Sequence, residues 1–85
     1  MNVGEIWKFN GSSGYTIYNR SIEEGQNNIY NLKGKNLKTN DCFIILENFI
    51  DKHQKNYIVC IFFEDAKWYL EVSKSYVVHG LFKKL

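Results

Sequence analysis

The chain has 85 residues, a net charge of +2 and 16% aromatic residues. This length allows a single hydrophobic core, and the aromatic content allows that core to form without disulfides or a metal. The low charge disfavours a dedicated DNA-coating protein, and no apolar run approaches the roughly 18 residues of a membrane-spanning helix. Because the chain does not open with a cationic and apolar leader, we expect a cytoplasmic protein.

Runs of β-branched and aromatic residues, separated by clusters of Gly, Asn, Ser and Asp, predict a mostly β fold. The first two runs lie at residues 5–9 and 15–19, and the glycine-containing turn between them indicates that they pair as a hairpin. Residues 29–32 predict a short third strand. The polar residues 33–41 that follow predict a turn-rich basic stretch.

The strongest strand signals lie in the second half of the chain. Residues 42–50 alternate between two faces, and residues 57–63 are apolar on both faces. Such a two-sided strand either lies at the centre of the fold or meets another chain. Residues 68–72 predict a further strand, residues 75–78 a helical turn, and residues 81–84 a last strand.

Together these elements predict one all-β domain over residues 1–85. Strands that follow one another through short turns favour a small antiparallel barrel of five or six strands, of the SH3-like type. One short helical turn would lie near the C-terminus. Closing the sheet into a barrel would remove its exposed edges. An open α+β sheet is the alternative.

The sequence contains no set of residues typical of a catalytic or metal site. His53 and His79 do not lie at metal-ligand spacing from each other or from a cysteine. Cys42 and Cys60 lie inside apolar runs, where we expect small buried hydrophobic residues with free thiols. No nucleophile, base and orienting group form a recognisable motif. We therefore predict that the protein is not an enzyme and binds no cofactor.

The basic stretch gives the clearest signal for binding. Its three lysines lie close together around Gly34, so their ammonium groups could follow a phosphate backbone. Tyrosine rings that precede this stretch could stack on bases. The alternative is that the lysines only solvate the loop or contact an acidic protein. The predicted nucleic-acid or partner-binding residues are Lys33, Lys35, Lys38, Arg20, Lys8, Tyr30, Tyr15 and Tyr18.

Residues 3–9, with the sequence Val-Gly-Glu-Ile-Trp-Lys-Phe, resemble the first strand of SH3-like barrels. Those barrels include KOW-type modules and the MazF, PemK and ToxN ribonuclease toxins. The toxins carry an arginine-rich turn that leads into a proline-containing strand. This chain has no proline, and its single arginine, Arg20, precedes Ser-Ile-Glu. The resemblance therefore implies a barrel that binds without cutting RNA.

The whole chain resembles in style the small early proteins of T-even bacteriophages, which are short, rich in Asn, Lys and aromatic residues, and free of catalytic motifs. Such proteins commonly bind and disable a host factor, and one of them inhibits a ToxN toxin in association with RNA. The resemblance implies a non-enzymatic inhibitor of a host defence protein, with RNA contact, in the host cytoplasm. Residues 57–63 could add a homodimer face. A KOW-like nucleic-acid-binding accessory and a compact toxin-type endoribonuclease are the alternatives.

Overall fold

The computed structural model describes residues 1–19, 33–49 and 55–85, and these residues form seven β-strands and one short helix. The prediction of an all-β fold is confirmed. The elements, in chain order, are β1 Ile6–Phe9, β2 Tyr15–Tyr18, β3 Gly34–Leu37, β4 Cys42–Phe49, β5 Asn56–Phe63, β6 Ala66–Ser73, α1 Lys74–Val78 and β7 Phe82–Lys84.

Strand β5 lies at the centre of a single antiparallel sheet with the order β3-β2-β6-β5-β4-β1-β7. It pairs over its whole length with β6. On its other side it pairs with β4, where an irregularity between Ile45 and Glu47 shifts the register. The inner face of β5 is buried at Val59, Ile61 and Phe63, whereas Phe62 on its other face is 40% exposed. Of the two alternatives for residues 57–63, the central position in the sheet is confirmed.

The predicted hairpin between the first two strands is wrong. Strand β1 pairs with β4 and with β7, whereas β2 pairs with β3 and with β6. This arrangement sets Trp7 of β1 opposite Phe43 of β4, and Phe9 of β1 opposite Phe82 of β7. All four aromatic side chains are buried. Burial of so much aromatic surface outweighs the local pairing that a short turn favours.

The sheet does not close into the predicted barrel. Among the described residues its two end strands, β3 and β7, are not paired with each other, and there are seven strands rather than five or six. The ring of Tyr15 on β2 nevertheless has its centroid 6.0 Å from that of Phe9 and 5.2 Å from that of Phe82. Strands from distant parts of the sheet are thus joined by side chains. The sheet is strongly curled, and aromatic rings fill the gap that backbone pairing leaves.

One strand lies where the sequence predicts a turn-rich stretch. Strand β3 pairs with β2 in a register that runs from Tyr15 opposite Leu37 to Tyr18 opposite Gly34. Leu37 is fully buried and anchors this otherwise polar strand to the core. The strand predicted at residues 29–32 lies outside the described residues.

A single apolar layer fills the inner side of the curled sheet. The opposite side, which we call the outward face, exposes part of the hydrophobic side chains Ile6, Ile44 and Phe62. Inward and outward side chains alternate along the strands, as the pleat of a sheet requires. The most buried residues of the inner layer, each at most 2% exposed, are Phe9, Ile17, Leu37, Phe43, Ile45, Val59, Ile61, Leu70, Val72 and Phe82.

Local signals fix both ends of the short helix α1. The Ser73 side chain caps its start and accepts a hydrogen bond from the Ser75 amide at 3.3 Å. Gly80, at φ 86°, follows its end and lets the chain turn into β7. The predicted helical turn and last strand are confirmed to within one residue at each end. No helix in the described part of the chain is long and apolar enough to cross a membrane.

Candidate binding surface

The side chains of β2 point alternately to the core and to solvent, and this divides the predicted site. Ile17 is fully buried, whereas the next residue, Tyr18, is 44% exposed. Because residues two apart on a strand share a face, Tyr15 lies on the inner side with Ile17, and Tyr18 lies on the outward face. The two predicted stacking tyrosines of β2 therefore lie on opposite sides of the sheet.

Tyr15 is occupied by contacts with the core. Its half-buried ring packs edge-on against Phe82, and its hydroxyl donates a hydrogen bond to the carbonyl oxygen of Glu71. Burial is the largest cause that raises the pKa of Tyr15 to about 12, and the nearby carboxylate of Glu71 adds to it. The ring and hydroxyl of Tyr15 are therefore not available to a ligand.

Replacing Tyr15 with Phe should make the protein less sensitive to alkaline pH. The unfolded chain ionises this hydroxyl near its ordinary pKa of 10.0, whereas the folded chain resists ionisation up to about 12. The resulting stabilisation of the folded state is complete below about pH 10 and is lost as the pH rises towards 12. Urea unfolding at a series of pH values should show a smaller alkaline loss for Tyr15→Phe than for the wild type. Tyr18→Phe is the control. Parallel profiles of unfolding free energy against pH for all three proteins would show that the alkaline loss does not come from the Tyr15 hydroxyl.

The ammonium group of Lys35 is held within the molecule. It lies on the same side of β3 as the buried Leu37 and forms an ion pair with Glu64 in the turn between β5 and β6. Its Nζ also lies 5.6 Å from the ring centroid of Phe63 and 5.8 Å from that of Trp68. An ammonium group over two aromatic rings and next to a carboxylate is already well compensated. Lys35 therefore contributes little free charge for a ligand.

Lys33 and Lys38 lie in solvent at the two ends of β3. The Lys33 amide donates to Asn19 Oδ1 at 2.8 Å, and the Lys38 amide donates to Asp41 Oδ2 at 2.7 Å. These bonds fix the main chain, while both side chains are exposed and form no ion pair within the described residues. Five residues of a strand span about 17 Å. The basic stretch is therefore spread along β3 rather than gathered at one point.

The remaining predicted residues do not join this group. Lys8 lies on the outward side of β1, opposite Cys42 of β4 and Lys83 of β7. In the order of the sheet, four strands lie between β1 and β3. Arg20 and Tyr30 lie outside the described residues.

The structure brings together a different set of residues on the outward face. Ile6 lies directly opposite Ile44, and Ile44 lies directly opposite Phe62. These side chains are 45%, 39% and 40% exposed, respectively, and we call them the apolar row. Lys67 of β6 lies opposite Phe62 and extends the row to an exposed positive charge.

A second group on the outward face is aromatic. Tyr69 of β6 lies between Tyr18 of β2 and Cys60 of β5 in the cross-strand register. The ring centroids of Tyr69 and Phe49 are 6.3 Å apart, with the rings tilted by 37°. We call Tyr18, Tyr69 and Phe49 the aromatic patch. Lys67, two residues before Tyr69 on the same strand, shares this face and lies between the patch and the apolar row.

We did not predict Tyr69, Lys67 or the apolar row from the sequence. A signal for the row was present, because residues 57–63 are apolar on both faces and only one face can line the inner core. The alternation of Lys67, Tyr69 and Glu71 with the buried Leu70 and its neighbours in β6 was a second signal. What was missing was the register, which decides which outward residues of different strands become neighbours.

The two cysteines lie in different environments. Cys60 is 2% exposed, and burial raises the pKa of its thiol. Cys42 is exposed on β4, so the prediction that it is buried is wrong. Because residues two apart on a strand share a face, Cys42 lies on the outward face with Ile44, whereas Phe43 and Ile45 take the inner positions. Within residues 1–19, 33–49 and 55–85, no three His, Cys, Asp or Glu side chains are grouped so that they could hold a metal ion.

Comparison of the chain with protein-family models, with curated proteins and with solved structures finds no match. The resemblances noted for the sequence therefore stay predictions. The outward face itself is the basis for a functional proposal.

Proposed function

We propose that this chain is a non-enzymatic binding protein of the cytoplasm that contacts single-stranded RNA through its aromatic patch and inhibits a host defence protein such as a ribonuclease toxin. The observation that carries the RNA contact is the position of Tyr18, which is 44% exposed on the outward face directly opposite Tyr69. Exposed aromatic rings bind bases by stacking, and they do so for any base because each has a π-face.

Positive charge next to the aromatic patch supports this proposal. Lys67 shares the face of Tyr69, two residues away on the same strand. In the described part of the chain Lys67 forms no ion pair, so its ammonium group is available to phosphates. Stacking faces flanked by lysines are the combination that single-stranded nucleic-acid-binding surfaces use.

The inhibitor part of the proposal draws on the likeness to small phage proteins that disable host factors. The outward face supports it, because the apolar row is a second exposed surface separate from the aromatic patch. Aliphatic side chains that are 39–45% exposed favour contact with protein rather than with bases. The two surfaces lie next to each other on one face and share Lys67.

Replacing Tyr18 with Ala is the direct test of RNA contact. Loss of one stacked base costs about 1–3 kcal/mol, so we expect Kd for a fluorescein-labelled single-stranded RNA to rise roughly 5- to 150-fold in fluorescence anisotropy. Replacing Lys67 with Ala should reduce the slope of log K against log salt by about 0.7. The matched control is Tyr76→Ala, since Tyr76 is 51% exposed on α1. Equal RNA affinity of the Tyr18 and Tyr76 variants would overturn the proposed stacking site.

The inhibitor part has its own test in growing cells. We expect co-expression of the wild type to restore growth to bacteria that express a ToxN-type ribonuclease toxin, and we expect Tyr18→Ala to restore it less. If the wild type binds RNA but leaves growth arrested, the proposal that it inhibits such toxins is wrong, and the proposed RNA contact still stands. If growth is restored equally by both proteins, inhibition does not depend on the aromatic patch.

A further inference from the structure

We propose that the apolar row is a docking surface for an acidic protein surface that also carries apolar side chains. The inference rests on the proposed function, because it names the chemistry of the protein that the inhibitor holds. Ile6, Ile44 and Phe62 belong to three adjacent strands and lie directly opposite one another. Directly opposed residues have Cβ atoms about 5 Å apart, so the three side chains form one continuous strip. Such a strip suits the apolar centre of a protein interface.

Lysines without carboxylate partners flank the strip on two sides. Lys67 continues it beyond Phe62, while Lys8 and Lys83 lie opposite each other in the neighbouring row. In the described residues none of these three lysines forms an ion pair. Unpaired charges at the rim of an apolar surface select a partner of opposite charge and speed its association. The complementary partner therefore carries carboxylates around an apolar centre.

The acidic residues close to the strip leave this charge uncompensated. Glu5 accepts hydrogen bonds from the Asn2 amide and the Trp7 indole and pairs with Lys84 at 3.0 Å. The Asn2 amide is the largest cause that lowers the pKa of Glu5 to about 2, followed by Lys84. Glu47 lies in the row on the far side of the strip, opposite Cys60. The side that carries Lys8 and Lys83 stays positive.

Two other occupants fit this surface less well. RNA would be attracted by the lysines, but of the three side chains in the strip only Phe62 has a ring face on which a base could stack. A second copy of this chain would bring its own Lys8, Lys67 and Lys83 to the same strip. Like charges placed together in a desolvated contact cost several kcal/mol. The charge pattern therefore favours an acidic protein.

Cross-linking resolved to single residues tests the proposal. Tagged protein is incubated with bacterial lysate that has been treated with ribonuclease, and a carbodiimide then joins lysines to carboxylates that are in direct contact. We expect mass spectrometry to find Lys8, Lys67 and Lys83 joined to Asp or Glu of a captured protein at least about fivefold more often than the exposed Lys38. Links that concentrate on Lys38, or the absence of links at all three flanking lysines, would overturn the proposal.

Two sets of variants separate docking from folding and from RNA contact. Ile44→Ser with Phe62→Ser should reduce the cross-links of all three flanking lysines at least about tenfold. Lys8→Glu with Lys83→Glu removes two of the cross-linking amines, so its readout is Lys67, whose links should also fall at least about tenfold with the apolar strip intact. Val78→Ser is the control, because Val78 is 81% exposed outside this face. RNA affinity should be unchanged by Ile44→Ser with Phe62→Ser, whereas Tyr18→Ala should lower RNA affinity and keep the cross-links. Retained cross-links in both double variants would exclude the strip as the docking surface and leave the RNA contact standing.

Discussion

Replacing Phe82 with Ala is expected to lower the free energy of unfolding by about 3–5 kcal/mol. Phe82 is 2% exposed, and its ring centroid lies 5.3 Å from that of Phe9, 5.2 Å from that of Tyr15 and 6.0 Å from that of Phe43. These rings belong to four different strands, so the substitution leaves a cavity at the point where the curled sheet meets itself. Urea unfolding followed by tryptophan fluorescence measures the change. For a chain of this length Tm should fall by about 4–8 °C per kcal/mol.

The matched control is the same substitution on the other side of the sheet. Phe62 is 40% exposed on the outward face, so Phe62→Ala removes less buried surface and leaves no enclosed cavity. We expect it to cost less than half as much as Phe82→Ala. If the two variants were equally stable, the aromatic contacts between β2 and β7 would not be what holds the curled sheet together.

The class of fold and the positions of most strands could be predicted because their signals are local. Alternating and β-branched residues marked β4, β5 and β6, and the turn between β5 and β6 is short. Strand partners are not local information. Residues 5–9 and 15–19 looked like a hairpin, yet β1 lies between β4 and β7 because Trp7 and Phe9 bury more surface there. Nothing in a single strand of four residues shows which neighbour will bury its aromatic side chains.

The candidate site was harder to predict, for two physical reasons. The first is the alternation of side chains between the two faces of a strand. Lys35 shares its side of β3 with the buried Leu37, as Tyr15 shares its side of β2 with the buried Ile17. Alternation along each strand could have shown that Tyr15 and Tyr18 cannot act together. The second is register, which sets Tyr18 opposite Tyr69 across fifty intervening residues. Sequence spacing alone therefore pointed to a lysine cluster, whereas the sheet assembles an aromatic and an apolar surface.

Replacing Gly11 with Ala is expected to lower the free energy of unfolding by about 1–3 kcal/mol. Gly11 lies in the loop between β1 and β2, and its carbonyl oxygen accepts a hydrogen bond from the Thr39 hydroxyl. A Cβ at this position would lie 2.8 Å from Phe9 Cε1 and 2.9 Å from Leu81 Cδ1. The Phe9 ring cannot move aside easily, because it packs against Tyr15 and Phe82. The added methyl group therefore strains the inner aromatic cluster of Phe9, Tyr15 and Phe82, whose rings join distant strands of the sheet.

Gly14 in the same loop provides the control for this prediction. Its added Cβ would lie 3.5 Å from its nearest neighbours, the Asn36 Cβ and the Leu37 carbonyl oxygen, which is ordinary van der Waals contact. Both substitutions reduce the freedom of the unfolded chain by the same amount, so this contribution cancels when the two variants are compared. The difference in urea unfolding free energy between Gly11→Ala and Gly14→Ala then measures steric strain alone. Equal stability of the two variants would mean that the loop between β1 and β2 can move away from Phe9, and that the aromatic cluster is less tightly enclosed than its ring contacts indicate.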